Sequence, residues 1–569
     1  MKTSQRPLRR VGFAFASLGL CAVLAACAGG GGAATPGARR GSSSEASAGA
    51  PRRLVSAGPA LAVDAAIARH PISPDIYGVT IFWSATTSSA LRQFAKDVRL
   101  PANRYGGDGT TRYNWNFDSS NAGSDWYFVA GNGQTSVTPG ASVDTIVDGN
   151  RTNGTKSIIT IPIIDYINNS SPWHCSYPES QYPNQVGING NPPYDPYLTV
   201  NGGDHCGSGS NASGYITDTN VAATDIPNQP GIQQAWVTHF VSKYGKASSG
   251  GVPIYELDNE PNGWIAVHHD VRPQNVGYHE LVSKSVAYAS AVKAADPSAL
   301  VLGPDDIPPA DENCNGGQPS GVSGTCNGDD ASANGGTPLG LWYLQQFATH
   351  SPRLLDYYAM HYPGACCFST NGTLDDMVVA IHRHQSWIAS AYPGTKLAYD
   401  EWNRGTGNGF ANGLATADGL GVFGRENVDL ASFWGLDDPS YPSAFAFRIF
   451  RDYDGNGSTF GNVSISATSA DTSQLTIYAA LRRVVNPALT VLVVNSSATD
   501  LSSTVTIANF SITQPLQVWS YTSANAAAIV AGTPLAAAGG AVTTVFPAQS
   551  LTLLVIPSAP LGAHPQRQF

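Results

Sequence analysis

Glu260 in "YELDNEPNGW" and Glu401 in "KLAYDEWN" each close a run of apolar and β-branched residues, and each stands near aromatic residues. The first stretch, residues 255–264, crowds three acids and two amides into a chain with only 13% charged residues. Two carboxyl groups carried by separate strands of one scaffold suit glycoside hydrolysis. One protonates the leaving oxygen while the other attacks the sugar or activates water. The plainer alternative is a pair of structural acids at strand ends. Asp258 and Asp400 are the nearest rivals. Under strict strand alternation Asp258 shares the face of Glu260, which gives it an orienting role outside the catalytic pair.

Such chemistry needs a frame that aims several strand ends at one point. Eight short β-like runs occur in order: "IYGVTIFW" (76–83), "ANRYGG" (102–107), "SIITIPIIDYI" (157–167), "PIYELDNEP" (253–261), "ALVLGPDD" (299–306), "LDYYAMHYP" (355–363), "KLAYDEWN" (396–403) and "VDLASFWG" (428–435). Several are almost continuously apolar, as parallel strands buried on both faces are. Helical spacing lies between most of them, as in "IQQAWVTHFVSKYG" and "YHELVSKSVAYASAVKAAD". "TADGLGVFG" reads as a further helix capped by Thr416. The alternation predicts an α/β fold, a (β/α)8 TIM barrel; one miscounted strand would leave an open sheet. Beyond residue 460 short strands such as "LTIYAALRR" and "ALTVLVVNSS" follow without helices, predicting a C-terminal all-β sandwich. "LAVDA" near residue 61 reads as an N-terminal strand of that same sandwich.

Barrel sites gather at the C-terminal ends of the strands. Those ends carry Arg104, Tyr166, Asn259, Glu260, His361, Tyr362, Glu401 and Trp434. Trp83, Trp115, Trp264 and Trp402 also fall at or just past strand ends. An indole face can stack on a sugar ring or pack the barrel. Packing is the reading for Trp83; Trp264 and Trp434 are the sugar-contact candidates. His361 and Tyr362 divide between subsite contacts and structural hydrogen bonds.

The blocks "RHPISPDIYGV" (69–79), "NRYGGDGTTRYNW" (103–115), "LDNEPNGWIAVHHDVRP" (257–273), "HYP" (361–363), "DEWN" (400–403) and "FRDYDGNGSTFGN" resemble glycoside hydrolase family 44, within the clan A barrel glycosidases. The likeness runs from about residue 60 into the β domain. It implies a retaining endoglucanase or xyloglucanase with Glu260 as acid/base and Glu401 as nucleophile. It also implies that Asn259 bonds the 2-hydroxyl of the attacked sugar and that Arg104 keeps Glu401 ionised. "PNGW" and "DEWN" depart from the family's commoner "PALW" and "EYN", and the Cys-rich loops at 173–207 and 313–327 look like additions.

The first residues, "MKTSQRPLRR" and the apolar "VGFAFASLGLCAVLAA", read as an export leader too short to span a bilayer. Its end, "LAAC", resembles the lipobox of bacterial lipoproteins and makes Cys27 the acylated residue; an ordinary signal peptide cut after "AACA" is the alternative. The expected organisation is a leader over 1–27, a flexible linker over 28–57, the barrel over 58–455, the sandwich over 456–558 and a tail over 559–569. Residues 58–72 are alternatively a strand of the sandwich. Of 31 basic residues eight lie within residues 1–53, against one of 41 acids, leaving 23 basic and 40 acidic residues and a net charge of −17 from Leu54 onward. That charge repels phosphate backbones and excludes nucleic acid as a partner class. The expected partner is a polysaccharide, with membrane contact only through the anchor, and a monomer is expected.

Of eight cysteines, six remain after Cys21 and Cys27. In an oxidising compartment they read as loop disulfides, with Cys175–Cys206 and Cys314–Cys326 favoured by proximity. Cys366 and Cys367 are adjacent. "HC" at 174–175 and 205–206 raises zinc as an alternative, at a spacing no standard zinc site uses. "DYDGNG" (452–457) matches half of a calcium loop, but Val463 stands where the twelfth-position glutamate belongs, so a tight Asp-Gly turn competes. No cofactor is required. The expected reaction is retaining endo-hydrolysis of a β-1,4-glucan, with mannan or xylan specificity, or polysaccharide binding without catalysis, as alternatives. Retention requires the two carboxyl groups about 5–5.5 Å apart rather than ~9 Å.

Overall fold

A computed structural model describes residues 55–558, apart from 85, 189, 201, 308–328, 363–372, 406 and 484–485. The leader with Cys27, the linker up to residue 54, Cys314, Cys326, Cys366, Cys367 and the 559–569 tail lie outside the described residues.

The eight expected strands close into a parallel barrel: β1 (Gly78–Thr80), β2 (Ala102–Tyr105), β3 (Lys156–Ile161), β4 (Ile254–Leu257), β5 (Leu300–Asp306), β6 (Tyr357–His361), β7 (Lys396–Trp402) and β8 (Leu430–Phe433). Each pairs with the next, and β8 returns to β1. A helix follows every strand, from Ser89–Asp97 after β1 to Pro442–Arg451 after β8. Their ends follow local chemistry. Thr373 and Asp376 form a capping box before Leu374–Ala391, and Ser88 caps the first helix. Thr416 departs from expectation. It lies inside Phe410–Arg425, where its hydroxyl donates to the Asn412 carbonyl one turn back instead of capping a terminus.

A lower layer of small and apolar residues, one or two from most strands, packs together: Ala102, Ile158, Ile254, Leu302, Tyr357, Ala359, Ala398 and Leu430. Two residues further along, alternation sends Arg104, Glu256, His361 and Asp400 toward the same interior. All four are fully buried. The barrel therefore changes from apolar to ionic toward its C-terminal end.

The β domain contains the strands expected from 475–482, 488–495, 500–508, 517–522 and 550–557. It adds Val463–Ser469, Asn525–Ala531 and Ala541–Phe546. Val55–Ala57, Leu61–Asp64 and His70–Pro71 join the same eleven-stranded sheet. Val463–Ser469 pairs through its first half with Leu475–Arg482 and through its second with Leu61–Asp64, carrying the sheet from one layer to the other. Leu61, Val63, Ile477, Val491, Val505, Phe546 and Leu554 fill the space between.

Long loops after β2 and β3 build a small module over the barrel mouth. A three-stranded sheet (120–121, 129–131 and 174–175) and the hairpin Tyr194–Val200/Asp204–Gly207 are joined by the Cys175–Cys206 disulfide. His174 and His205 turn their Nδ1 atoms to backbone carbonyls, so the "HC" pairs form a staple and not a zinc site. Arg112 after β2 bonds Asp225 at 2.6 Å and Asp270 at 2.9 Å, all three buried, which fixes the module to the loop after β4.

Candidate active site

The three acids of "YELDNE" have three different surroundings. Glu256 is buried and takes a two-pronged hydrogen bond from Arg104, through Nε at 2.8 Å and through Nη2. Such a fork fixes the guanidinium plane. Asp258 is also buried; it accepts the N–H groups of Ile163 and Ile164 at the end of β3 and of Asn259 at 2.8 Å. It braces two strand ends. Glu260 alone reaches the cleft, because the backbone at Asp258 (φ 69°) and Glu260 (φ 46°) is left-handed and breaks the strand alternation. Backbone of this kind at non-glycine residues is costly and collects at functional sites. Asp305 (φ 61°) and Tyr362 (φ 53°) share it at neighbouring strand ends.

Glu401 arrives by another device. Registers slip between Ala359 and His361 on β6 and between Tyr399 and Trp402 on β7. The bulge turns the consecutive residues Asp400 and Glu401 both inward, where strict alternation would separate them. Arg104 then lies 3.5 Å from Asp400 and donates to Glu401 Oε2 at 2.5 Å.

His361 joins the two glutamates. Its Nδ1–H donates to Glu260 Oε1 at 2.8 Å and lies 3.9 Å from Glu401 Oε2. One oxygen of Glu260, one of Glu401 and a ring nitrogen of His361 all fall within 4.8 Å of one another. Tyr362 directs its hydroxyl to Glu401 Oε1 at 3.4 Å, and its N–H bonds the Glu401 carbonyl. Asn259 accepts from Arg104 at 2.7 Å and from the Gly107 N–H, and donates to Asp108 at 2.8 Å. Gly107 has φ 107°, and a Cβ there would lie 2.9 Å from the Trp434 ring. Only glycine lets the indole close over this turn.

Burial opposes every charge here, and neighbours decide the balance. It works against His361, but the Glu401 and Glu260 carboxylates push the imidazole up to about 9. Burial raises Glu401 and Glu260 adds to it, while His361 and Arg104 pull it back. The expected lowering by Arg104 is therefore present but outweighed by desolvation. Beneath them, burial and the Asp400 and Glu256 carboxylates push Asp305 well above the carboxylate range. Asp305 and Asp400 stand close together in this buried layer, with Arg104 the guanidinium beside them. At the cleft wall, burial raises Asp108, and the nearby Asp125 and Glu260 carboxyls add to it.

Arg104, Asn259, Glu260, His361, Tyr362 and Glu401 are thus brought together, with Trp434 alongside over Gly107. Two expected residues are not. Trp264 is 1% exposed and spends its indole N–H on the Asn259 carbonyl at 3.2 Å, so it has no free face for a sugar. Tyr166 pairs in a small strand with Pro227 and packs on the barrel core. Sequence reading missed Glu256 and Asp305, which lie below the strand ends, and Asp108, Asp125 and Phe82. Phe82 is 36% exposed beside Trp434, and its place just past β1 was the available signal.

Two side-chain groups among the described residues have metal-ligand composition: Glu260/His361/Glu401 and Glu256/Asp305/His361/Asp400. In the second, Arg104 supplies the positive charge directly. In the 452–457 turn, Asp452 accepts the N–H of Gly457, and Asp454 those of Asn456 and Ser458. These bonds make a tight Asp-Gly turn.

A pair of carboxyl groups so spaced, one bonded to an imidazole and one to a guanidinium, can act as proton donor and attacking group across one glycosidic bond. The sequence model of glycoside hydrolase family 44 matches residues 119–364. Endoglucanase A of Paenibacillus lautus is 29% identical over 489 residues, covering 76% of this chain; the chain spans 63% of that relative's length. Among solved structures, CelM2, a bifunctional glucanase-xylanase from a metagenome library, is 30% identical with a TM-score of 0.76, covering 88% of this chain and 99% of that one. The family 44 xyloglucanase of Paenibacillus polymyxa is 27% identical with a TM-score of 0.66, covering 88% and 100%. With its barrel, its β domain and these relatives, the chain belongs to glycoside hydrolase family 44.

Proposed function

We propose that the chain is a retaining endo-β-1,4-glycanase that cleaves internal bonds of a β-1,4-glucan, either a cellulose-type glucan or xyloglucan. The observation that carries the reading is the approach of Glu260 and Glu401, with oxygens within 4.8 Å of each other and of His361. That approach accords with the short carboxyl separation of direct attack. In the proposed reaction Glu401 attacks the anomeric carbon while Glu260 gives its proton to the departing oxygen. Glu260 then takes a proton from water, which displaces Glu401 from the glycosyl-enzyme. Nδ1–H of His361 occupies Glu260 Oε1, leaving Oε2 to carry the transferred proton. Asn259, its carbonyl oxygen fixed by Arg104, offers its amide N–H toward the sugar's 2-hydroxyl, and Tyr362 and Trp434 line the attacked ring.

The specificity has one rival reading. CelM2 is described as a glucanase-xylanase, which favours testing xylan beside glucan. A binding protein without catalysis would have no use for a guanidinium on one glutamate and an imidazole on the other. The test is reducing-end release by the full chain on carboxymethylcellulose, xyloglucan, glucomannan and xylan. Glu401→Gln should lower activity on the preferred polymer by roughly a thousandfold or more. The β-anomer should form first by proton NMR. First release of the α-anomer would exclude retention, and silence of the parent on all four polymers would exclude the glycanase reading.

We further propose export with a lipid anchor at Cys27, on the basic, apolar and "LAAC" segments of the leader. Cys27→Ser should move the protein from the membrane fraction to the soluble fraction of expressing cells. Unchanged fractionation would discard the anchor. Among the described residues no helix is long and apolar enough to cross a membrane.

A further inference from the structure

Tyr197 is 76% exposed, the most open of the large apolar side chains among the described residues, and it stacks on Trp126, itself 36% exposed. Their ring centroids lie 6.2 Å apart at an interplanar angle of 16°, a nearly parallel stack with Tyr197 open to solvent. Both are held by a single carboxylate. Asp195, fully buried, accepts the Trp126 indole N–H on Oδ2 at 2.8 Å and the Tyr197 backbone N–H on Oδ1 at 2.8 Å. Burying a carboxylate is costly, and here its hydrogen bonds fix two rings that lie open to water.

The support underneath is rigid. Tyr127, Val129, Cys175, Val200 and Cys206 form a separate apolar cluster around the disulfide. Tyr127 and Phe128 take left-handed backbone (φ 51° and 52°) and are buried, while Trp126 just before them stays exposed. The Arg112–Asp225–Asp270 ion pairs fasten the module to the barrel mouth. A short chain of neighbours leads from the rings toward the cleft. Trp126 follows Asp125, which lies near Asp108, and Asp108 accepts from Asn259 beside Glu260.

We propose that Trp126 and Tyr197 form a distal sugar platform, which stacks a pyranose ring of the same neutral β-linked glycan several units from the cleaved bond. The inference rests on the glycanase reading and adds a binding position to it. Flat aromatic surfaces suit the C–H face of an equatorially substituted pyranose. The net charge of −17 and the adjacent Asp108–Asp125 pair favour an uncharged chain over a uronic-acid polymer.

The test is affinity electrophoresis of the full chain, as Glu401→Gln, through gels containing xyloglucan, glucomannan, hydroxyethylcellulose or xylan. Tyr197→Ala in that background should weaken retardation roughly threefold to tenfold, with Tyr197→Phe restoring it. In the active enzyme the same substitution should appear in KM for the polymer rather than in kcat. Tyr197 is so exposed that folding should not confound the result, and an unchanged melting temperature checks this. Equal retardation of Tyr197→Ala and its parent would overturn the platform, as would a parent that no gel retards. If the active chain cleaves polymer but Tyr197→Ala leaves KM and retardation unmoved, the platform fails and the glycanase reading stands. Tyr197-dependent retardation without cleavage would have the opposite meaning.

Discussion

His361 faces both glutamates, and its charge bears on Glu401, which the proposed reaction needs ionised. Glu260 and Glu401 push the imidazole up to about 9, favouring its charged form against burial and the Arg104 guanidinium 3.2 Å from Nε2. That charge draws Glu401 downward against the burial that raises it. His361→Asn keeps an N–H donor toward Glu260 and removes the charge, so the Glu401 carboxyl should rise further. The acidic limb of kcat/KM against pH should then move to higher pH, because the attacking carboxylate forms later. We expect kcat to fall about tenfold to a hundredfold as Glu260, the proposed proton donor, loses its fixed orientation. A limb that stays in place would mean the ring only positions Glu260. At this scale Glu260, Glu401, Asn259 and Arg104 were legible because each ends a recognisable strand. Glu256 and Asp305 were not, because their importance comes from what Arg104 and Asp400 place beside them in space. Trp264 was misread because a strand-end indole can face the cleft or the chain beneath it, and only packing decides.

Among elements, the eight barrel strands were readable from apolar runs separated by helical spacing, since burial on both faces leaves no polar alternation to confuse them. The irregularities were not readable. Alternation places Asp400 and Glu401 on opposite faces, yet the bulge on β7 brings both inward. It also pairs Asp258 with Glu260, yet left-handed backbone at each sends one into strand bracing and the other into the cleft. Both exceptions lie where the chemistry is, as expected if the site stores local strain that the barrel sustains. The strands missed in the β domain, 463–469, 525–531 and 541–546, are short, carry many Ser, Thr and Ala residues and are incompletely buried, so hydrophobic pattern marks them weakly. Thr416 was read as a cap because "TADGLGVFG" looks like a helix start. Tertiary packing of Gly413, Leu414 and Ala417 extends the helix past it.

For the whole molecule, the question is whether barrel and β domain are separable, as a boundary near 455 would suggest. Three contacts argue that they are not. The helix after β7 places Gly421 against Tyr478, where a Cβ would come within 2.6 Å of the ring. Asp418 on the same helix accepts hydrogen bonds from Thr476 and from Tyr478 at 3.0 Å. Tyr521, fully buried, stacks between Phe410 and Phe445 at centroid distances of 5.0 and 4.6 Å. The N-terminal strands also lie in the β domain before the chain enters β1, so both ends of the barrel are tied to it. Its apolar core runs unbroken from the barrel helices into Leu551, Leu553 and Val555. A chain ending at residue 455 would expose that face and leave the N-terminal strands unpaired, and we expect it to be insoluble. The full chain should melt in one calorimetric transition. Tyr521→Ala should destabilise it by about 3–5 kcal/mol, lowering that transition without dividing it. Two resolved transitions, or a soluble and active barrel ending at 455, would show that the β domain is an appendage. The expected single transition would instead make it the outer wall of the barrel's own core.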